Sequence, residues 1–224
     1  MYEGFTTSLI LIEYLTVILS GIGLLLVAKI IYRGSNSAGQ TAMFGALLII
    51  TGGLCNATSQ LLGTLNNSEH DLLSELLWLL KGPGYTLVFA AVLQWSLHAS
   101  HKAPKALPAL MAVIVLSSAI GLDDSNPENL LSFFILLAAT VVFFSGVIIV
   151  FIGHGIRKKL YFSVSLLILS LCMNLVTPLL IQNLNLFANF PWLTTVINTA
   201  TQLSFAAGMW LIYNAHLKDK KKPH

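Results

Sequence analysis

Two ionisable residues, Glu13 and Lys81, lie inside long apolar stretches of this chain. A charge in the hydrocarbon core of a bilayer costs about 2.5–3.5 kcal/mol on insertion scales, and it is usually kept where it pairs with another charge or faces water. At 1.5 Å per residue, Glu13 lies about 10 Å and Lys81 about 15 Å from the N-terminal ends of their predicted helices. The sequence therefore predicts that the two side chains meet, or share one wet cavity.

Amide and hydroxyl side chains recur at helical spacing at a similar depth. Asn198 and Gln202, for example, are four residues apart, which places them on one helix face. Because lipid cannot satisfy an amide, we expect these faces to point inward, where they either bind a small polar or zwitterionic ligand or bond helix to helix. The predicted ligand-binding residues are Glu13, Asn56, Gln60, Lys81, Tyr85, Asn174, Thr177, Asn198 and Gln202.

The motif Gly82-Pro83-Gly84 directly follows Lys81. Proline inside a helix removes a backbone hydrogen bond and bends the axis. Two interpretations stay open at this stage. The motif is either a static kink that shapes the bundle, or a hinge or broken helix beside the binding residues.

Four histidines, His98, His101, His154 and His216, lie near the C-terminal ends of apolar stretches. The HxxH spacing of the first two suits a metal site, with a third histidine as a further ligand. No carboxylate stands nearby in sequence to orient the rings, so we interpret all four as interfacial histidines and predict no metal and no cofactor. No glycine-rich phosphate loop or other catalytic constellation is present, and the chain is not expected to be an enzyme.

The elements that must position these side chains are transmembrane helices. Of the 224 residues, 56% are hydrophobic and only 9% are charged, against about 25% in soluble domains. This composition predicts an all-α integral membrane protein, with one seven-helix transmembrane domain over residues 1–216 and a basic tail over 217–224. The predicted spans lie near 7–31, 41–64, 72–97, 107–121, 130–153, 160–183 and 191–214.

The charges between the spans predict the orientation. Lysines and arginines follow the first, third, fifth and seventh spans, while the acidic residues outside the spans lie mostly at the opposite ends. The positive-inside rule then places the N-terminus outside and the C-terminus in the cytoplasm. The tail is interpreted as an orientation signal that touches anionic lipid, and no nucleic acid is expected as a partner. The N-terminus has no basic region before its apolar stretch, so a retained helix in a bacterial inner membrane is predicted.

Internal similarity suggests a 3+1+3 repeat. The segment from Leu48 to Leu62 aligns without gaps to that from Leu166 to Leu180, and Phe-Ala-Ala occurs at Phe89 and again at Phe205. The plan resembles that of SWEET and PnuC transporters and of microbial rhodopsins. The last span has no lysine for a retinal Schiff base before Lys218, and the resemblance is one of plan alone.

These features favour a small-solute transporter that binds a polar solute in an outward-facing pocket within the membrane. A second hypothesis is a seven-helix sensor that signals to a cytoplasmic partner. A third is an intramembrane metal-dependent enzyme that uses the histidines. Expected partners are the lipid bilayer, a small polar solute, and either a cytoplasmic signalling protein or further copies of the chain in a homo-oligomer.

Overall fold

The computed structural model describes residues 7–66, 71–98, 113, 115–116, 129–183 and 191–219. These residues form long helices, which confirms the all-α prediction, and short turns at 33–35 and 158–160 join two pairs of them. The helices are α1 (Thr7–Tyr32), α2 (Asn36–Asn66), α3 (Asp71–His98), α4 (Asn129–Arg157), α5 (Tyr161–Asn183) and α6 (Pro191–Asp219). They overlap six of the seven predicted spans. Most of the predicted span 107–121 lies outside the described residues, although Val113, Val115 and Leu116 are helical.

Three of the described helices are long and apolar enough to cross a membrane, over Ser8–Tyr32, Asn36–Leu65 and Ala139–Arg157. Large apolar side chains such as Leu11, Phe44 and Val142 lie exposed on their outer faces. A bundle that leaves such side chains outside is suited to lipid. The chain is therefore an integral membrane protein.

The six helices form a closed ring in chain order. Each packs against the next, α6 closes on α1, and α1 also touches α3. One apolar core runs through the ring, and its centre is an aromatic cluster that joins α3, α4 and α6. The ring of Phe144 lies 5.4 Å from that of Tyr85 and 5.0 Å from that of Phe205.

Two pairs of neighbouring helices run parallel. Trp95, near the end of α3, stacks on Phe151 and contacts His154, both near the end of α4. Earlier in the same two helices, Phe89 stacks on Phe143. The contacts follow the same order along both helices, so α3 and α4 point the same way.

The second parallel pair is α1 and α6. Thr16 Oγ1 lies 2.6 Å from Thr199 Oγ1 in the first halves of these helices. Just beyond the end of α1, Arg33 Nη2 donates a 3.2 Å hydrogen bond to the hydroxyl of Tyr213, late in α6.

Gly34, just beyond the end of α1, lies against the Trp95 ring near the end of α3, so both pairs end together. The helices α1, α3, α4 and α6 therefore end on one side of the bundle, which we call the inner end. The opposite side, where they begin, is the outer end.

Glycines bring α2 and α3 close together beside Lys81. A Cβ on Gly84 would lie 2.6 Å from Ile49 Cγ1 and 2.9 Å from the carbonyl oxygen of Gly45. The helix stays continuous through Pro83. The Thr86 hydroxyl donates a 2.9 Å hydrogen bond to the Gly82 carbonyl. These glycines thus have a packing role, and a hinge at Gly82-Pro83-Gly84 stays a prediction.

Candidate functional site

A cavity of about 110 Å³ opens between α1, α2, α3 and α6. Its volume is well above the roughly 10–15 Å³ that a single water molecule needs. Glu13 and Lys81 both line it. The sequence predicts that these two side chains meet or share one wet cavity. The described lining residues are Glu13, Thr16, Val17, Ser20, Ile49, Ile50, Gly53, Asn56, Leu77, Lys81, Tyr85, Asn198 and Gln202.

The Glu13 carboxylate is held by two amides of α2. Asn56 Nδ2 lies 3.5 Å from Glu13 Oε2 as a hydrogen-bond donor, and the Gln60 side chain forms a second hydrogen bond to the carboxylate. Asn56 and Gln60 are four residues apart, so both amides stand on the face of α2 that meets α1. Two amide donors orient the carboxylate and offset part of its loss of hydration.

Lys81 supplies the opposite charge from α3. Its ammonium group and the Glu13 carboxylate attract one another across the cavity. Both side chains are partly buried. One small cavity is therefore lined by both an acid and an amine. The arrangement can orient a molecule that carries both a negative and a positive group.

The deep side of the cavity is formed by Tyr85, which is only 4% exposed. Its side chain hydrogen-bonds to Ser20 of α1, and its ring packs against Phe144. Tyr85 lies one turn beyond Lys81 on the same face of α3. The cavity floor is therefore continuous with the aromatic core.

On the α6 side, Gln202 presents an acceptor that has no partner among the described residues. The side chain is 6% exposed, and its Oε1 atom is buried without a hydrogen bond. A buried amide oxygen left unsatisfied costs about 1–3 kcal/mol. Gln202 also lines the cavity, beside Asn198 of the same helix.

Six of the nine predicted ligand-binding residues line this cavity, and a seventh, Gln60, bonds to Glu13 behind it. Asn174 lies elsewhere. Its Nδ2 atom donates a 3.1 Å hydrogen bond to Ser145 Oγ, which joins α5 to α4. The side chain of Thr177 lies outside the described residues. The amides thus divide between the cavity and an inter-helix contact.

Two hydroxyl residues of the cavity, Thr16 and Ser20, were missed in the sequence analysis. They lie three and seven residues beyond Glu13, so one face of α1 carries all three. Extending the i, i+3, i+7 pattern from Glu13 would have found them. Thr16 also donates to the Ile12 carbonyl at 2.9 Å, so its hydroxyl is fixed in place.

At the inner end, His154 of α4 and His216 of α6 are in direct contact. Their Nε2 atoms are 2.9 Å apart, and their rings stack with centroids 5.0 Å apart. The His98 side chain and all of His101 lie outside the described residues. In the part of the chain that is described, no group of three or more His, Cys, Asp or Glu side chains converges on one point.

The cavity brings polar and ionisable side chains from four helices together. It offers an acid, an amine, an unsatisfied amide oxygen and hydroxyls, all held by helices that pack on one core. No family model, no curated protein and no solved structure matches this chain. The functional argument therefore depends on the residues of this cavity and on the fold that brings them together.

Proposed function

We propose that the chain has seven transmembrane helices, with the N-terminus outside and the C-terminus in the cytoplasm. The parallel course of α3 and α4 supports the seventh span. A chain that leaves α3 at the inner end must return to the outer end before α4 can begin. Residues 99–128 supply that return, and a crossing helix needs only about 20 residues. The parallel pair α1 and α6 likewise agrees with an odd number of spans.

Cysteine labelling tests this topology. With Cys55 and Cys172 replaced by alanine, a cysteine at Ser125 is expected to react with a membrane-impermeant maleimide in intact cells. A cysteine at Ser35, in the turn between α1 and α2, is expected to react only after the membrane is opened. Labelling of both positions in intact cells, or of Ser35 alone, contradicts the proposed orientation.

Within this bundle, the cavity serves to bind a small polar solute, and a zwitterion fits its charges best. The single observation that carries this proposal is that Glu13 and Lys81 line the same cavity. An anionic group of the solute would meet Lys81, while a cationic donor group would meet Glu13. The cavity volume of about 110 Å³ restricts the occupant to a small molecule.

Transport is the activity that we propose for this site. Parallel structural repeats in transporters place the substrate at the interface between the repeats. Two contacts support such a repeat here. Phe89 of α3 packs over Gly146 of α4, and Phe205 of α6 packs over Gly23 of α1. In each case the Phe-Ala-Ala helix of one unit covers a glycine on the first helix of the other.

Uptake by proteoliposomes tests the proposal. Purified protein is reconstituted and offered radiolabelled glycine, β-alanine and glycine betaine, with glycerol as the uncharged control. At least one zwitterion is expected to accumulate at about ten times the rate in empty liposomes, a difference that corresponds to about 1.4 kcal/mol. Glycerol should not accumulate faster than in empty liposomes. If a zwitterion binds the protein but none accumulates, transport is the wrong activity and the sensor hypothesis takes its place.

A further inference from the structure

A wide groove lies at the inner end, on the outside of the ring, where α5 begins and α6 ends. Its volume is about 820 Å³, and it is separate from the cavity that contains Glu13. Three large aromatic side chains stand exposed in it: Tyr161 is 66%, Phe162 72% and Trp210 56% exposed. The described lining residues are Lys159, Leu160, Tyr161, Phe162, Ser163, Trp210, Leu211, Asn214, Ala215, Leu217 and Lys218.

The charge of the groove has one sign. Lys159 stands at the entry to α5 and Lys218 near the end of α6, and both are exposed. No carboxylate occurs among the described lining residues. Basic pockets between helices at the cytoplasmic face bind anionic lipid headgroups. Tryptophan and tyrosine beside them are typical of the level where headgroup meets hydrocarbon.

Lys159 is held in an unusual backbone conformation. Its φ angle is +57°, in the left-handed region that glycine favours. The residue closes the end of α4, where Leu160 N donates to the Gly155 carbonyl and Lys159 N to the Ile156 carbonyl, at 2.9 and 3.0 Å. Glycine is the usual residue at this position of such a helix end. A lysine here gives up backbone stability and places a positive charge at the mouth of the groove.

We infer that this groove binds an anionic phospholipid from the inner leaflet. The phosphate lies between Lys159 and Lys218, with the Asn214 amide as a further donor, and an acyl chain runs along Phe162 and Trp210. The groove is apolar away from the two lysines, so it suits a molecule with a charged head and a hydrocarbon chain. This site is independent of the solute proposed for the cavity.

Native mass spectrometry of the detergent-purified protein tests the inference. Phosphatidylglycerol and phosphatidylcholine of equal chain length are titrated separately. The double variant Lys159→Gln/Lys218→Gln is compared with Lys29→Gln/Arg157→Gln, which removes two inner-end charges that do not line the groove. Each lysine is expected to contribute about fivefold to the affinity for phosphatidylglycerol. The groove variant, which lacks both, should therefore bind this lipid about 25-fold more weakly. The control variant should stay within about twofold of the unmodified protein, and phosphatidylcholine binding should not change in either.

Lys159→Gly separates binding from folding, because glycine suits the backbone at this position. This variant is expected to melt at a higher temperature and still bind phosphatidylglycerol about fivefold more weakly. Equal affinity for the two lipids, equal losses in the groove and control variants, or full affinity in Lys159→Gly each contradicts the inference. Glycerol 3-phosphate that binds as tightly as the whole lipid would show a free phosphate site and would also overturn it.

Discussion

Replacing Lys81 with methionine is expected to weaken solute binding, to slow uptake accordingly and to destabilise the protein. The ammonium group is the only positive charge among the described lining residues of the cavity. Removing one partner of a desolvated charge pair costs about 2–5 kcal/mol, largely because the other charge is left unpaired. Because both side chains are only partly buried, we expect the low end of that range, about 2 kcal/mol, which weakens solute binding about 30-fold.

The neutral double variant Glu13→Gln/Lys81→Met shows whether the two charges act together. In Lys81→Met the Glu13 carboxylate keeps its amide donors from α2 but has no opposite charge, so thermal stability falls. Removing the carboxylate as well is expected to restore most of that stability, since neither charge is then left alone. Solute binding should stay weak, because the cavity can no longer orient a zwitterion.

The control for both variants is Lys29→Met, which removes an exposed lysine at the other end of α1. It is expected to leave uptake and melting temperature close to those of the unmodified protein. The measurements are proteoliposome uptake and the melting temperature of the purified protein in detergent. The single variant Glu13→Gln is measured as well. If the stability lost by the double variant equals the sum of the losses in Lys81→Met and Glu13→Gln, Glu13 and Lys81 are not coupled.

Much of the cavity could be predicted from residue type and spacing alone. A carboxylate or an ammonium group is so costly in hydrocarbon that its position in the sequence already restricts it to the interior. In the structure Asn56, Asn198 and Gln202 line one cavity with Glu13 and Lys81, and their role in binding a ligand stays a prediction. The reasoning from residue type and spacing works because helical periodicity fixes which side chains share a face, and lipid excludes the polar face from the outside.

Asn174 shows where that reasoning stops. An amide is small and has both donors and acceptors, so one hydroxyl on a neighbouring helix is enough to satisfy part of it. For Asn174 of α5, this hydroxyl is that of Ser145 on α4, which accepts its hydrogen bond. Whether the polar face of a helix lines the cavity depends on the rotation of that helix about its axis. The rotation is set by packing against all of the neighbouring helices. Sequence periodicity gives the polar face of one helix but not its angular position in the ring.

Packing at glycines was also beyond the sequence. Gly52 and Gly53 are adjacent in the sequence, whereas Gly23 lies two residues after Gly21 and Gly146 is separated from the other glycines of its apolar stretch. Gly23 and Gly146 each lie under a phenylalanine of another helix. A glycine in an apolar helix does not indicate which other helix it contacts, because that depends on which helices become neighbours in the ring.

Gly23→Ala and Gly146→Ala are expected to lower the stability of the bundle by similar amounts. A Cβ on Gly23 would lie 2.5 Å from ring atoms of Phe205, which is fully buried and cannot move aside. A Cβ on Gly146 would likewise clash with the ring of Phe89, which is partly buried. Overpacking of this kind costs about 1–3 kcal/mol. If the two halves of the bundle are repeats of one unit, the two losses should agree within about 1 kcal/mol, since each variant disturbs the same contact.

Gly153→Ala is the matched control, because a Cβ at Gly153 meets nothing within 4 Å and the residue lies on α4 with Gly146. Alanine is the better helix former by about 1 kcal/mol, so this variant should melt at the same temperature as the unmodified protein or higher. Replacing the phenylalanine ring by leucine relieves the clash. The double variants Gly146→Ala/Phe89→Leu and Gly23→Ala/Phe205→Leu are therefore both expected to recover part of the stability lost in the single glycine variants. A large loss at only one of the two glycines would mean that the two interfaces are not equivalent. The argument for a repeat, and for a substrate site between its units, would then lose its structural support.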